Sequence, residues 1–190
     1  MLSTAQMQWS MPDSLRPVPA GDERWAASDP VTEAAITGAA LVRHLDDFRF
    51  ASLRALRQIH RALGAERVAI GFIDAEGMSV REALAWSGGF GRCGDSERVV
   101  SCEAFAAKMG AWMASRSGAL EVEIDGFDPA WHELGCDRLL LVRGERFVKG
   151  LGQAVLLAQL RAPAPLAGGA DHALAMLLDE YACRRQSVRA

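Results

Sequence analysis

Residues 66–86 read ERVAIGFIDAEGMSVREALAW, and the way this stretch turns back on itself decides the architecture. Val68 to Asp74 and Met78 to Trp86 have the β-branched and aromatic content of strands, and the intervening AEG has the composition of a turn. Alternation in the second strand puts Met78, Val80, Glu82, Leu84 and Trp86 on one side and Arg81, Ala83 and Ala85 on the other. Immediately downstream, GFGRCG at 89–94 has glycines at Gly89, Gly91 and Gly94, the spacing of a dinucleotide-binding turn. That turn works only between a parallel strand and a helix, with an acidic residue about 20 positions later to meet the ribose. Here the preceding strand is the second arm of a hairpin, and the first acid near a strand end, Asp125, comes too late. Polar Asp95, Ser96, Glu97 and Arg98 also precede the next apolar run, so the glycines read as a flexible loop over a pocket.

Upstream, Asp29 followed by Pro30 is a helix start, because the carboxylate accepts from free backbone N–H groups and proline suits the first turn. Ile36, Ala39, Ala40, Leu41, Leu45 and Phe48 recur at helical spacing. Leu53, Leu56, Ile59 and Leu63 continue the stripe after a break near Phe50, and Gly64 closes it. Residues 1–28, with Pro12, Pro17 and Pro19 among small and polar residues, show no sustained period and read as a flexible arm. Met1, Met7, Trp9, Met11 and Trp25 are predicted to dock that arm on the body. Residues 29–190 are expected to form one domain.

Downstream, VVSCEAFAAKMGAWMAS suits a helix with Val99, Cys102, Phe105, Ala106, Met109 and Met113 inward, followed by a short strand from Leu120 to Ile124. A second Asp-Pro start, Asp128-Pro129, predicts a helical turn or two carrying Trp131 and His132. RLLLVRG and GQAVLLAQL, joined by ERFVKGL, form a second hairpin. RAPAPLAGG is a loop, and ADHALAMLLDEYACRR is a closing helix with Ala173, Met176, Leu177 and Tyr181 inward.

The chain has 190 residues, half of them hydrophobic and 24% charged, the balance of a folded protein with a core. A formal charge of −3 gives no global attraction to nucleic acid or anionic lipid. Arg54, Arg57 and Arg61 would share a helix face, which reads as a solvated surface. No stretch nears the ~20 apolar residues that span a bilayer, and the start lacks a basic segment leading into an apolar run, so a cytoplasmic location is expected. The four cysteines, Cys93, Cys102, Cys136 and Cys183, include no C-x-x-C pair and read as thiols.

The order of long helix, hairpin, loop and helix, short strand, second hairpin and closing helix resembles a GAF domain over roughly residues 50–185. The resemblance rests on RALGAERVAIGFIDAEG, where a helix ends in a small residue before the first strand. It rests equally on GQAVLLAQLRAPAPLAGGADHALAMLLDEYA, where an apolar last strand, a proline-bearing loop and a final helix follow in turn. It implies an α+β fold, a central antiparallel sheet of five to six strands flanked by helices on both sides. It places a ligand pocket between one sheet face and the segments after the second strand, with GFGRCG overhanging it.

Some GAF-type enzymes reduce free methionine sulfoxide with cysteines in this region, and by that resemblance Cys93, Cys102 and Cys136 are the alternative catalytic set. A thiolate would attack the sulfoxide sulfur and a second cysteine would resolve the intermediate. ELGCDRLLLVRG supplies Cys136 but lacks the acid such enzymes carry a few positions later. The N-K-F-D-E pattern of cyclic-nucleotide binders is missing, and no cysteine has the neighbouring histidine of bilin attachment. His132 reads as structural rather than as a haem ligand, and histidine and cysteine spacing supports no metal site. Phe72, Trp86, Phe90, Trp112 and Trp131 are pocket-lining candidates for a flat ligand, with Arg81, Glu82 or Arg92 orienting its polar groups and His132 as a further candidate.

The expectation is therefore a non-enzymatic regulatory domain without a cofactor, binding a small-molecule ligand or a protein partner. Residues 30–63 and 170–185 are the expected homodimer surface, and no direct contact with nucleic acid or membrane is expected. The alternatives are the cysteine-dependent reductase and a pure interaction module whose pocket is filled by its own side chains.

Overall fold

The computed structural model describes residues 29–74, 76–77, 79–88, 90–93, 98–123, 136–163 and 166–189. The expected arm, the Asp128-Pro129 turn and Met78 lie outside these residues. The chain opens with helices α1 (Pro30–His44) and α2 (Phe48–Leu63), then strands β1 (Arg67–Ile73), β2 (Ser79–Ser87), β3 (Phe90–Cys93) and β4 (Val99–Ser101). A single 3₁₀ turn at Glu103–Phe105 leads into α3 (Ala106–Ala114), β5 (Ala119–Glu123), β6 (Arg138–Val148), β7 (Gly152–Leu160) and α4 (Ala170–Arg189).

Every strand pair among the described residues is antiparallel, in the order β3-β2-β1-β7-β6-β5. β4 lies on the same edge as β3, pairing with Ser79–Arg81 while β3 pairs with Leu84–Ser87. The sheet is thus six strands wide with one edge broken in two, the width anticipated from sequence. The two hairpins meet where β1 pairs with β7, from Arg67 opposite Gln159 to Ile73 opposite Gln153.

One face of the sheet is covered by α2 and α4, with α1 packed against both. Leu56, Ile59, Leu174, Leu177 and Tyr181 meet Val68, Ile70, Phe72, Leu140 and Leu156 there. The other face carries Ala69, Ile73, Val80, Leu139, Leu141, Val155 and Leu157 beneath Phe105, Met109 and Trp112. At about 25 cal/mol per Å² of apolar surface withdrawn from water, each large side chain in these layers contributes roughly 1.5–3 kcal/mol.

The helix starts follow local chemistry. Asp29 Oδ2 accepts from Thr32 N at 3.0 Å, and Gly64 ends α2 in the left-handed conformation with φ +60°. The break between α1 and α2 comes at Leu45–Asp47, a little earlier than the expected position near Phe50, because Asp47 offers a carboxylate that accepts from Phe50 N at 2.9 Å. On α1 the buried face is rotated from the expected one, with Val31, Ala35, Gly38, Ala39 and Val42 buried while Ile36 is exposed. On α4 Ala173, Leu177 and Tyr181 are buried as expected, joined by Leu174 and Leu178, and Met176 is exposed instead of inward. Small residues let α1 approach its neighbours closely: a Cβ on Gly38 would stand 3.0 Å from that of Ala55.

Three further expectations are corrected. The GFGRCG stretch holds strand β3, not a flexible loop, since Gly88 turns with φ +54° and residues 90–93 regain ladder pairing. Val99–Ser101 is a strand rather than a helical turn, so Val99 is exposed and Cys102 precedes the helix. β-branched Val99 and Val100 suit the unpaired edge at Ser79–Arg81 better than a helix. β6 runs on through Phe147, with an irregularity between Arg143 and Phe147 that the expected ERFVKGL connector had concealed.

Candidate functional site

The decisive local feature is a bulge. β1 and β2 shift register between Ile70 and Gly71, leaving Ala83 as the extra residue. Gly71 is required opposite, because a Cβ there would stand 2.7 Å from the carbonyl oxygen of Arg81. A bulge reverses the alternation downstream of it. Val80 therefore packs under α3, whereas Ala83 and Leu84 pack under the helix layer with Trp86 against them, and the single side expected for Val80, Leu84 and Trp86 is split.

The sequence-predicted pocket residues do not come together on one face of the sheet. Phe72 is buried in the helix layer, its ring 6.2 Å from that of Tyr181 with the Arg185 guanidinium 5.7 Å over it. Trp86 is on the same side beneath the Arg57 guanidinium at 5.6 Å, and Arg81 is exposed. Trp112 alone of the described aromatics in that set stands on the α3 side. Phe90, Arg92 and Cys93 belong to β3, but their side chains lie outside the described residues, as do Trp131 and His132 entirely.

The α3-side face holds a buried polar group, of which Glu82 is a sequence-predicted candidate while Arg67 and Gln159 were missed by sequence reasoning. In register order, Arg67 of β1 faces Gln159 of β7, which faces Leu139 of β6. Arg67 reaches along the face past Ala69 and Gly71 to Glu82, donating from Nη1 to Oε1 at 2.7 Å and from Nη2 to Oε2 at 2.6 Å. The small side chains of Ala69 and Ala85, and the glycine, leave room for that course. The pair is buried, and its fork geometry uses both carboxylate oxygens.

Gln159 is 1% exposed, yet neither its amide nitrogen nor its amide oxygen has a hydrogen-bond partner among the described residues. Each such buried group costs about 1–3 kcal/mol when unpaired. Trp112 Nε1 on the same face is likewise buried and unpartnered among the described residues. The opposite sheet face between β1, β7 and β6 is lined by aliphatic residues from Val68 to Leu160. The sequence signal was present but faint: a glutamine inside AVLLAQL and an arginine opening RVAIGFI.

The cysteines bear on the catalytic alternative. Cys102 is 1% exposed, and burial, reinforced by the Asp74 carboxylate, pushes its thiol up to about 12. Burial also raises Cys136, aided by Glu66 and partly opposed by Arg161. A thiol in either state is a weak nucleophile near neutrality. Among the described residues no cluster of histidine, cysteine and acidic groups is suited to a metal ion, and no helix is long and apolar enough to cross a membrane.

A separate cleft of about 340 Å³ lies at the sheet edge, lined by Arg116, Arg143, Gln153, Asp171 and His172 among others. Its most inward cation is already committed: Arg143 donates to the carbonyl oxygens of Met113 at 3.0 Å and Ser115 at 2.6 Å, and lies 5.3 Å over the Trp112 ring. The cleft therefore reads as a seam that anchors α3 to β6.

No family model matches the sequence, and no curated protein matches it. Solved structures do. The free methionine-R-sulfoxide reductase of Neisseria meningitidis, determined with its substrate, aligns with TM-score 0.54 at 16% identity over 84% of this chain and 90% of that one. A phycoerythrobilin-bound GAF domain from a cyanobacterial phytochrome aligns with TM-score 0.55 at 11% identity, over 83% and 96% of the two chains. A phycocyanobilin-bound GAF domain from a cyanobacterial phytochrome gives 0.54 at 12% identity, over 82% and 94%. The chain has a GAF-like fold, and at these identities the likeness extends to the fold alone.

Proposed function

We propose that this GAF-like chain is a non-enzymatic sensory domain that takes a small ligand on the α3-side face of its sheet and signals through α1, α2 and α4. One observation carries the reading: on the α3-side face both polar atoms of the Gln159 carboxamide and the Trp112 indole nitrogen are buried without a partner among the described residues. Solved GAF domains with a bilin bound share the fold, which supports a binding role for this scaffold. The elevated Cys102 thiol supports binding over thiol chemistry.

Ligand contacts that differ between two packings of α3 would shift the population between them. β1 and β7 carry that shift through the sheet to α2 and α4. Exposed Ile36 on α1 and Met176 on α4 give the helix layer apolar surface for a second copy.

Native mass spectrometry of freshly purified protein is the test. A retained small molecule is the expected result, and repeated finding of bare protein would instead favour an interaction module. An assay of free methionine sulfoxide turnover in the parent protein separates the reductase reading: turnover lost in Cys136→Ser or Cys102→Ser would overturn the non-enzymatic role.

A further inference from the structure

Arg143 makes a seam of the cleft at the sheet edge, but the walls of that cleft carry charges of both signs. Arg116 and Arg143 line it together with Glu145 and Asp171, around a space of about 340 Å³. That lies within the roughly 300–1,000 Å³ of small-ligand pockets. We propose that the cleft is a binding site, distinct from the α3-side face and independent of it, for a small zwitterion that carries one ammonium and one carboxylate.

Elsewhere on the surface opposite charges close on one another. Arg138 meets Glu121 at 3.1 Å and Glu123 at 3.3 Å, and Arg161 meets Glu66 at 2.8 Å. In the cleft, no ion pair among the described residues joins either arginine to either carboxylate. The Arg116 guanidinium and the Glu145 carboxylate make no hydrogen bond among the described residues, and Asp171 accepts from the backbone N–H of His172 at 2.9 Å. Arg143 donates to the carbonyl oxygens of Met113 and Ser115, neutral groups that leave its charge uncompensated. The two cations can therefore take a carboxylate, and the two carboxylates an ammonium.

The same arrangement disfavours a ligand of single charge. A bare anion drawn to the arginines and to the start of α4 meets Glu145 and also Asp171, which sits in the first turn of that helix. A bare cation drawn to the carboxylates meets Arg116 and Arg143. Attraction and repulsion then offset each other, whereas a zwitterion sets each end against its opposite. Gly118 leaves the Asp171 wall open, since a Cβ there would stand 3.4 Å from Asp171 Oδ2. The lining comes from the segment between α3 and β5, from β6 and from α4, so an occupant touches all three at once.

The experiment titrates the full chain, freed of retained molecules, with glycine, β-alanine and 4-aminobutyrate, which hold their two charges at increasing separation. Amide chemical shifts are followed by NMR. Butyrate and n-butylammonium are the controls, each keeping the four-carbon skeleton with one charge. At least one zwitterion is expected to bind at millimolar concentration and to shift the amides of Gly118, Glu145 and Ala175, with both controls about fivefold weaker. Arg116→Gln and Glu145→Gln change exposed side chains, and each should weaken the bound zwitterion by about threefold or more at low salt. Absence of binding by all three zwitterions, equal binding of either control, or unchanged affinity in both variants would overturn the assignment. Shifts confined to β1 and β7 around Gln159 would overturn it in favour of the α3-side face, so the two sites stand or fall separately.

Discussion

Asp179 shows how much one side chain organises here. From α4 its Oδ1 accepts from the backbone N–H of Glu145 at 3.0 Å and of Arg146 at 2.9 Å, where β6 departs from its register. Gly144 makes room for it, because a Cβ there would stand 2.7 Å from that oxygen. Asp179→Ala should lower stability by about 1–2 kcal/mol through loss of two charge-assisted hydrogen bonds, read as a shift in urea midpoint. Cys102 gives a second residue-level expectation. Its folded-state pKa is raised from 9.0 to about 12, so its contribution to stability is complete below pH 9 and is lost as pH rises from 9 toward 12. Urea midpoints across that window should fall less steeply in Cys102→Ala than in the parent. At pH 8 an alkylating reagent should modify half-exposed Cys183 well before Cys102.

Elements here are positioned by caps, bulges and one buried ion pair. Asp47 both ends the linker and starts α2, so Asp47→Ala should cost about 1 kcal/mol in thermal or chemical denaturation. Arg67 and Glu82 tie the start of β1 to the bulged middle of β2. Arg67→Ala leaves a carboxylate buried without its guanidinium and should destabilise by about 3–5 kcal/mol. The double variant Arg67→Met with Glu82→Leu should recover most of that loss, because no unpaired charge remains. A double variant no more stable than Arg67→Ala would mean that the pair acts through its shape rather than its charge.

At the scale of the molecule, one sheet separates two unlike environments. The helix layer is aliphatic and closed by Tyr181, whose ring lies 5.2 Å from Phe48 and 6.2 Å from Phe72. Across the sheet, the α3 side combines an apolar floor with a buried polar group. In the proposed role, that asymmetry assigns ligand binding to one face and contact with a second copy to the other. Ile36→Glu combined with Met176→Glu should convert a dimer to a monomer in light scattering, with little change in melting temperature, since both side chains are exposed. A protein already monomeric at micromolar concentration would rule out that surface as the dimer contact.

The local signals carried a good deal. Two antiparallel hairpins, the Asp29-Pro30 start, the Gly64 stop and the closing helix all follow from the period, cap and turn chemistry of neighbouring residues, and these suffice for a GAF-like fold. Tertiary pairing decided the rest. Whether Val99–Val100 became helix or strand depended on an unpaired edge at Ser79–Arg81, some 20 residues away along the chain. Which side chains of β2 faced α3 depended on the one-residue bulge at Ala83, because a strand's alternation fixes faces only relative to a register set by its partner. The grouping of Arg67, Glu82 and Gln159 arose from three strands meeting in the sheet, an adjacency with no counterpart in local sequence.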